Sequence, residues 1–163
     1  MSATFTTADL FDAHGDHCQS CDVQFRQFGR ARAFAGRIRT VQARADNALV
    51  RRLLETPGAG AVLVVDGDGF LGAAMLGDKL GALALQNGWA GIVIFGAVRD
   101  AAALAQLDLG IKALGTNPRR SEKRGAGVTD VMVTLGGVRF VPGHWLYSDD
   151  DGILVAERPL VPA

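Results

Sequence analysis

An uninterrupted apolar run, GIVIF at residues 91–95, lies between two segments that have the spacing of helices. A strand with apolar side chains at every position is typical of a sheet covered on both faces, because a half-exposed strand alternates apolar and polar residues. The segment before it, DKLGALALQNG, predicts a helix that closes at Gly88, and residues 100–107 predict a second helix. Together with a short strand predicted at residues 70–76, the middle of the chain therefore predicts a strand–helix–strand–helix order.

The remaining segments predict shorter elements. Residues 7–13 and 46–55 predict two short helices, and Asp46 is placed to cap the second. Further strands are predicted at residues 61–65, 70–76 and 111–115. In the last third, DVMVTLGGVRFVP predicts two strands joined at Gly136-Gly137, and WLYSDDDGILVA predicts a pair that turns at Asp151-Gly152. We therefore expect a single α/β domain over residues 1–163, with a mixed β-sheet core flanked by helices.

Charge and composition exclude several classes of function. Seventeen basic residues balance seventeen acidic ones, so we expect neither direct nucleic-acid binding nor attraction to an anionic membrane. No apolar run approaches the roughly 18 residues that a membrane helix needs, and the first residues do not resemble a secretory signal. Residues 67–69, GDG, are followed by a strand-like segment, whereas a dinucleotide loop opens a helix. We expect a cytoplasmic protein without a nucleotide cofactor.

A lone C-x-x-C pair, Cys18 and Cys21, follows His14 and His17. One interpretation is a zinc site or a redox pair. Structural zinc sites normally separate their two ligand pairs by a dozen residues or more, whereas these four residues span eight positions. We favour the alternative, which is two reduced thiols.

The loop after the apolar strand contains an adjacent arginine and aspartate, Arg99-Asp100. The predicted helix that starts at Asp78 runs about 15 Å away from its first residue. The following strand returns by a similar distance at about 3.3 Å per residue. Arg99 and Asp100 are therefore expected beside Gly77 and Asp78, at a corner that also contains two helix N-termini.

This corner combines groups that can bind an anion and a cation. Helix N-termini and a guanidinium attract carboxylates, and Mg²⁺ typically takes one or two protein carboxylates with water and substrate oxygens. The alternative is structural: Asp78 and Asp100 would cap their helices, and Arg99 would pair with one of them. The spacing alone leaves both interpretations open.

The chain resembles the family of regulator of ribonuclease activity A, which includes the class II 4-hydroxy-4-methyl-2-oxoglutarate aldolases. The likeness covers nearly the whole chain, including CDVQFRQFGRARAFAG, GDKLGALALQNGWAGIVIFGAVRD, GGVRFVPG and YSDDDGILV. Its most specific element is an aspartate followed, after twenty residues, by arginine-aspartate: Asp78, residues 79–98 and Arg99-Asp100. The resemblance implies a fold of the swivelling β/β/α type.

The resemblance also implies roles for individual residues. The loop formed by Gly77, Asp78, Lys79 and Leu80 is expected to contact a pyruvyl substrate through backbone amides. Asp78 is also the expected proton-transfer group. A Schiff base at Lys79 is the rival mechanism, but it requires a buried lysine.

Two further residues complete the site that the resemblance implies. Arg99 is expected to bind the substrate and to act in catalysis, and Asp100 is expected to hold a divalent metal, Mg²⁺ or Mn²⁺. Some relatives replace this aspartate and act as protein-binding inhibitors of ribonuclease E without the metal chemistry, so its presence favours an enzyme.

The implied activity is a metal-dependent class II aldolase. It would cleave 4-hydroxy-4-methyl-2-oxoglutarate, or a related 4-hydroxy-2-oxo acid, to pyruvate, and would decarboxylate oxaloacetate through the same pyruvate enolate. The partners implied are a small 2-oxo acid and further copies of the chain, in a homotrimer. The alternative is a non-catalytic inhibitor that binds ribonuclease E.

The chain departs from the family's pattern at one turn. Many members read P-G-D where this chain reads Pro142-Gly143-His144.

Overall fold

The computed structural model describes residues 4–161, which form short helices and many short strands. The helices are α1 (Thr7–His14), α2 (Ala48–Leu54), α3 (Asp78–Gln86) and α4 (Ala101–Leu104), and a 3-10 turn covers Gly15–His17. The strands are β1 (Gln19–Ser20), β2 (Arg26–Gln27), β3 (Phe34–Gln42), β4 (Val62–Asp66), β5 (Ala74–Leu76), β6 (Gly91–Val98), β7 (Gly110–Thr116), β8 (Val128–Thr129), β9 (Val133–Leu135), β10 (Val138–Phe140), β11 (Trp145–Asp149) and β12 (Gly152–Ala156).

One mixed sheet forms the centre of the molecule. Its strand order is β1-β12-β11-β3-β4-β6-β7-β2, with β5 beside the end of β6 and β8 beside the end of β3. The four strands β3, β4, β6 and β7 are parallel, whereas β11 and β12 pair in an antiparallel manner. The predicted mixed β-sheet core is therefore confirmed.

Strand β3 joins the two parts of the sheet. Its first half, from Phe34 to Arg37, pairs with β11 in an antiparallel manner, and its second half, from Ile38, pairs with β4 in a parallel manner. Gly36 lies in the first half, next to Arg37, and a β-carbon there would collide with the carbonyl oxygen of Gly60. A side chain at this position would push apart β3 and the loop before β4.

Apolar side chains fill both faces of the parallel strands. Ile92 and Ile94 of β6 belong to a core under the helices, whereas Val93 between them belongs to a second core under the β9–β10 hairpin. Each large side chain buried in this way contributes about 1.5–3 kcal/mol. Burial on both faces explains why the GIVIF run shows no polar alternation.

Two predicted elements are shorter in the structure. Of the strand predicted at residues 70–76, only β5 forms, because a turn precedes it, in which the Phe70 N–H donates to the Gly67 carbonyl. The helix predicted at residues 100–107 ends at Leu104, because the N–H groups of Gln106 and Leu107 bond to carbonyls three residues earlier. These tighter bonds end the α-helix before β7 begins.

The nine-residue strand β3 is absent from the predicted elements. Its exposed or half-exposed arginines, Arg37 and Arg39, alternate with Ile38 and buried Thr40. This period of two was a usable signal.

A helix long and apolar enough to cross a bilayer does not occur between residues 4 and 161.

Asp46 has a larger role than the predicted helix cap. Its carboxylate accepts the Ala48 N–H at 3.1 Å near the start of α2, although Asn47 occupies the cap position. The same carboxylate accepts the N–H groups of Arg124, Gly125 and Ala126 at 2.8–3.3 Å. Asp46 therefore ties the loop before β8 to the start of α2.

Candidate functional site

Two loops meet at one edge of the sheet. Strands β5 and β6 are parallel neighbours, so the loop from β5 to α3 and the loop from β6 to α4 leave the sheet on the same side. A hydrogen bond of 2.9 Å from the Arg99 N–H to the Leu76 carbonyl joins the loops. Open α/β sheets bind ligands at the carboxyl ends of their strands. The corner predicted from the sequence spacing is therefore present.

Asp100 links the two loops through its side chain. Its Oδ2 accepts the Asp78 N–H at 3.0 Å, whereas its side chain makes no capping bond to its own helix, α4. The Asp100 backbone is left-handed, with φ 59° and ψ 41°. A non-glycine residue in this region costs about 1–3 kcal/mol and often marks a functional position. Asp100 therefore caps α3, the helix of the other loop.

Gly77 permits the close approach of Asp100. A β-carbon at residue 77 would lie 2.7 Å from the Asp100 Oδ2 and 3.4 Å from two atoms of the Arg99 side chain. A larger residue at position 77 would displace the carboxylate.

The Asp100 carboxyl is held in its ionised form. Its pKa lies below the usual value, chiefly because the Asp78 N–H donates to it. Burial raises the pKa, but the Asp78 N–H and the positive charge of Arg99 outweigh it. An exposed, ionised carboxylate at a loop corner is competent to bind a cation.

Arg99 points into an open cleft. Its Nη1 lies 3.5 Å from the Pro118 carbonyl oxygen, at the outer limit of a hydrogen bond. Within residues 4–161, Arg99 forms no ion pair at 4.0 Å or less. The cleft has a volume of about 290 Å³ and is lined by Arg99, Asp100, Ala101, Thr116, Asn117 and Pro118. The guanidinium is therefore not neutralised by a direct ion pair with either aspartate.

The other predicted loop residues differ in what they present. Lys79 is exposed, and its N–H donates to the Asp78 Oδ1 at 2.8 Å. Leu80 packs in the core under the helices, so only its backbone is near the site. The exposed Lys79 lacks the burial that a Schiff-base lysine requires.

The wall formed by Thr116, Asn117 and Pro118 was not identified as part of the site from the sequence. Asn117 is held by bonds from its backbone N–H to the Val98 carbonyl and from its side-chain amide to the Leu71 carbonyl. Strand β7, which it follows, is the parallel neighbour of β6. The usable signal was therefore the LGTNP turn at the carboxyl end of a neighbouring parallel strand.

The donor set suits a cation that uses few protein ligands. No group of three or more histidine, cysteine, aspartate or glutamate side chains in residues 4–161 has the arrangement of a metal site. Asp78 and Asp100 supply two carboxylates at the corner, which is the number that Mg²⁺ typically takes. The residues present therefore fit Mg²⁺ or Mn²⁺ with a shell completed by water and substrate.

The two cysteines are half-buried and pack against different groups of apolar side chains. Cys18 packs beside Leu10 and Tyr147, whereas Cys21 packs under the β9–β10 hairpin, where its thiol contacts the Leu135 carbonyl at 3.7 Å. Both are free, and burial raises the pKa of each thiol. A raised thiol pKa is typical of an unreactive cysteine, and the interpretation as two reduced thiols stays a prediction.

The comparisons with known proteins identify the family. The family model RraA-like, described as Aldolase/RraA, matches residues 7–155. A Geobacillus kaustophilus structure, described as S-adenosylmethionine: 2-dimethylmenaquinone methyltransferase, is 45% identical with a TM-score of 0.94, over 96% of this chain and 97% of that one.

Two further solved structures share the fold. The RNA-processing inhibitor RraA from Thermus thermophilus is 42% identical with a TM-score of 0.93, over 99% of this chain and 96% of that one. Streptomyces coelicolor RraAS2, an unusual member of the RNase ES inhibitor RraA protein family, is 31% identical with a TM-score of 0.74, over 93% and 80%. The match of the family model over most of the chain, together with these identities, shows that the protein belongs to the RraA-like family.

Proposed function

We propose that the protein is a divalent-metal-dependent aldolase and decarboxylase of small 2-oxo acids. One observation carries the proposal: the Arg99 guanidinium lines an open cleft beside the ionised Asp100 carboxylate, without a direct ion pair to it. A structural brace would pair these charges. A binding site for a substrate that carries both a carboxylate and a keto oxygen needs them separate.

Arg99 would bind the substrate carboxylate. A guanidinium donates two parallel hydrogen bonds to a planar carboxylate, and this fixes the orientation of the 2-oxo acid in the cleft. The positive charge also offsets the negative charge that develops when the bond between C3 and C4 breaks. Arg99 would thus act in binding and in the chemical step.

Asp100, with Asp78 beside it, would hold Mg²⁺ or Mn²⁺. When bound, the cation supplies a Lewis acid for the charge that develops on the keto oxygen of the substrate. Capping of α3 keeps the Asp100 carboxylate in one orientation, and the left-handed backbone aims it across the loop rather than at its own helix.

Asp78 would transfer the proton. In the aldol cleavage of 4-hydroxy-4-methyl-2-oxoglutarate, the 4-hydroxyl loses its proton as the C3–C4 bond breaks, giving one pyruvate and one pyruvate enolate. Asp78, directly or through water, would take that proton and return one to C3. Oxaloacetate loses carbon dioxide at the same bond, so the same enolate forms and needs only the protonation at C3.

A protein-binding regulator is the second candidate. The relative from Thermus thermophilus is described as an RNA-processing inhibitor, and it is 42% identical to this chain. Under this alternative the chain binds ribonuclease E, and Asp100 has only its structural role as a cap of α3.

Metal-dependent turnover tests the proposal. Pyruvate release from 4-hydroxy-4-methyl-2-oxoglutarate and from oxaloacetate should be lost after exhaustive chelation and restored by Mg²⁺ or Mn²⁺. Equal turnover before and after chelation would contradict the proposed chemistry. If the wild type shows no turnover with either metal and binds ribonuclease E, the regulator is supported instead.

A further inference from the structure

A second cavity, apart from the cleft at Arg99, is present among the described residues. It has a volume of about 650 Å³, against about 290 Å³ for the cleft at Arg99, and the two share no lining residue. We call it the C-terminal cavity, because the segment that follows β12 forms one wall. Its volume lies within the range of small-molecule sites, which is roughly 300–1,000 Å³.

The histidines of the chain converge on this cavity. The sequence contains three histidines, and His14, His17 and His144 all line it. His14 ends α1, His17 ends the 3-10 turn, and His144 precedes β11. None of the roles proposed for the cleft at Arg99 uses them. Their convergence across about 130 residues of sequence is a property of the fold.

Two arginines add permanent positive charge. Arg139 on β10 and Arg158 after β12 line the cavity, and both are exposed. Within residues 4–161, neither arginine forms an ion pair at 4.0 Å or less. Guanidinium groups of this kind are available to a carboxylate or a phosphate.

Two acids also line the cavity, Asp16 and Glu157, so the formal charge of its carboxylates and arginines sums to zero. The Cys18 thiol lines it as well, and burial raises its pKa and keeps it neutral. The protonation of the histidines therefore decides whether the cavity carries a net positive charge. A histidine that takes up a proton adds one positive charge, so each protonated histidine makes the cavity more cationic.

The rest of the lining restricts the class of ligand. Met132, Val141, Val155 and Leu160 are apolar, and none of the described residues that line the cavity is a phenylalanine, tyrosine or tryptophan that could stack on a base. The side chains that surround it do not form a metal site within the described residues. The wall after β12 is held by a hydrogen bond of 2.7 Å from the Leu160 N–H to the buried Tyr147 hydroxyl.

We propose that the C-terminal cavity is a second binding site, for a compact aliphatic polyanion, and that protonation of its histidines promotes binding. The shared chemistry is two or more negative charges on a small aliphatic skeleton, as in a polycarboxylate or a phosphate monoester. Arg139 and Arg158 bind the acidic groups, and the apolar residues contact the skeleton. The site is independent of the proposed catalytic cleft.

Histidine NMR tests the proposal directly. Because the chain has only three histidines and all line the cavity, every histidine signal reports on it. Citrate and glycerol 3-phosphate are the two probes, each compared with chloride at matched ionic strength. A bound anion should raise the titration midpoints, since a rise of about one pH unit corresponds to roughly tenfold tighter binding to the protonated form. Midpoints that stay unchanged with both probes would overturn the proposal.

Matched arginine variants separate a built site from general surface charge. Arg158→Ala and Arg139→Ala should each weaken binding of the effective probe about tenfold, as the loss of a charge-assisted hydrogen bond predicts. Arg52→Ala removes the same charge from an exposed position of α2 that does not line the cavity, and should bind as the wild type does. Equal weakening in all three variants would show diffuse electrostatic attraction and no site. Circular dichroism establishes that each variant is folded.

Discussion

Substitutions of Asp100 separate its structural role from its proposed metal-binding role. Asp100→Asn keeps a side-chain oxygen that can accept the Asp78 N–H, and asparagine tolerates a left-handed backbone. The variant should therefore lose less than about 1 kcal/mol of unfolding free energy. It removes the charge, however, so it should lose nearly all metal-dependent turnover.

Two further substitutions, Asp100→Gly and Asp100→Ala, measure how much stability is lost when the cap of α3 is removed. Asp100→Gly loses the cap of α3 but suits the left-handed backbone, which predicts a loss of about 1 kcal/mol. Asp100→Ala loses the cap and also places alanine in the left-handed region, which predicts about 2 kcal/mol in total. For a chain of this size, a loss of 2 kcal/mol lowers Tm by about 4–8 °C.

The expected pattern is that stability falls in the order Asn, Gly, Ala, whereas turnover is lost equally in all three. Calorimetry gives Tm, and pyruvate release with Mg²⁺ gives turnover. Asp108→Asn, an exposed aspartate outside the cleft, is the matched control and should keep wild-type turnover. If turnover instead follows stability, or if Asp100→Asn remains active, then Asp100 is a helix cap and the metal assignment is wrong.

Three further predictions concern other parts of the molecule. Arg99→Lys should lower kcat/KM at least about tenfold although the charge is kept, because lysine cannot donate two parallel hydrogen bonds to a carboxylate. A near-normal kcat/KM would indicate that Arg99 is a structural brace. Asp46→Ala should cost about 3 kcal/mol at neutral pH in urea unfolding, because the buried carboxylate accepts four backbone N–H groups. Burial opposes ionisation of Asp46, but these bonds outweigh it and lower its pKa, so its contribution is present above about pH 4 and is lost as acid protonates the carboxyl. An undiminished difference between wild type and variant at low pH would contradict this. By resemblance we also predict a homotrimer, and light scattering that reports a monomer would reject it.

The candidate corner was predictable because its geometry is local. A helix that runs out from Asp78 and a strand that returns to Arg99 bring these residues together within about twenty positions of sequence. The partner of the Asp100 carboxylate was not predictable, since a capping bond to its own helix was equally consistent with the spacing. Whether Asp100 caps α3 or α4 depends on its left-handed backbone and on the absence of a β-carbon at Gly77.

Strand β3 shows a second limit of the sequence. Its residues alternate in burial from Phe34 to Thr40, but its two halves pair with strands from different parts of the chain, β11 and β4. The period of a strand is a local property, but its partners are set by the packing of the whole sheet. The mixed sheet was therefore expected from the sequence, whereas the strand that joins its two parts was not.

The sequence by itself determined which segments are apolar, where the turns lie and to which family the chain belongs. Periodicity, glycine turns and the Asp78 to Asp100 spacing are all encoded in short stretches, the longest of about twenty residues. Only the tertiary structure decided which distant side chains become neighbours. His14 and His17 looked like part of a cysteine motif, but folding places them with His144 and Arg158 around one cavity. Such neighbours depend on how β1, β11 and β12 pack together, and no local pattern in the sequence records that packing.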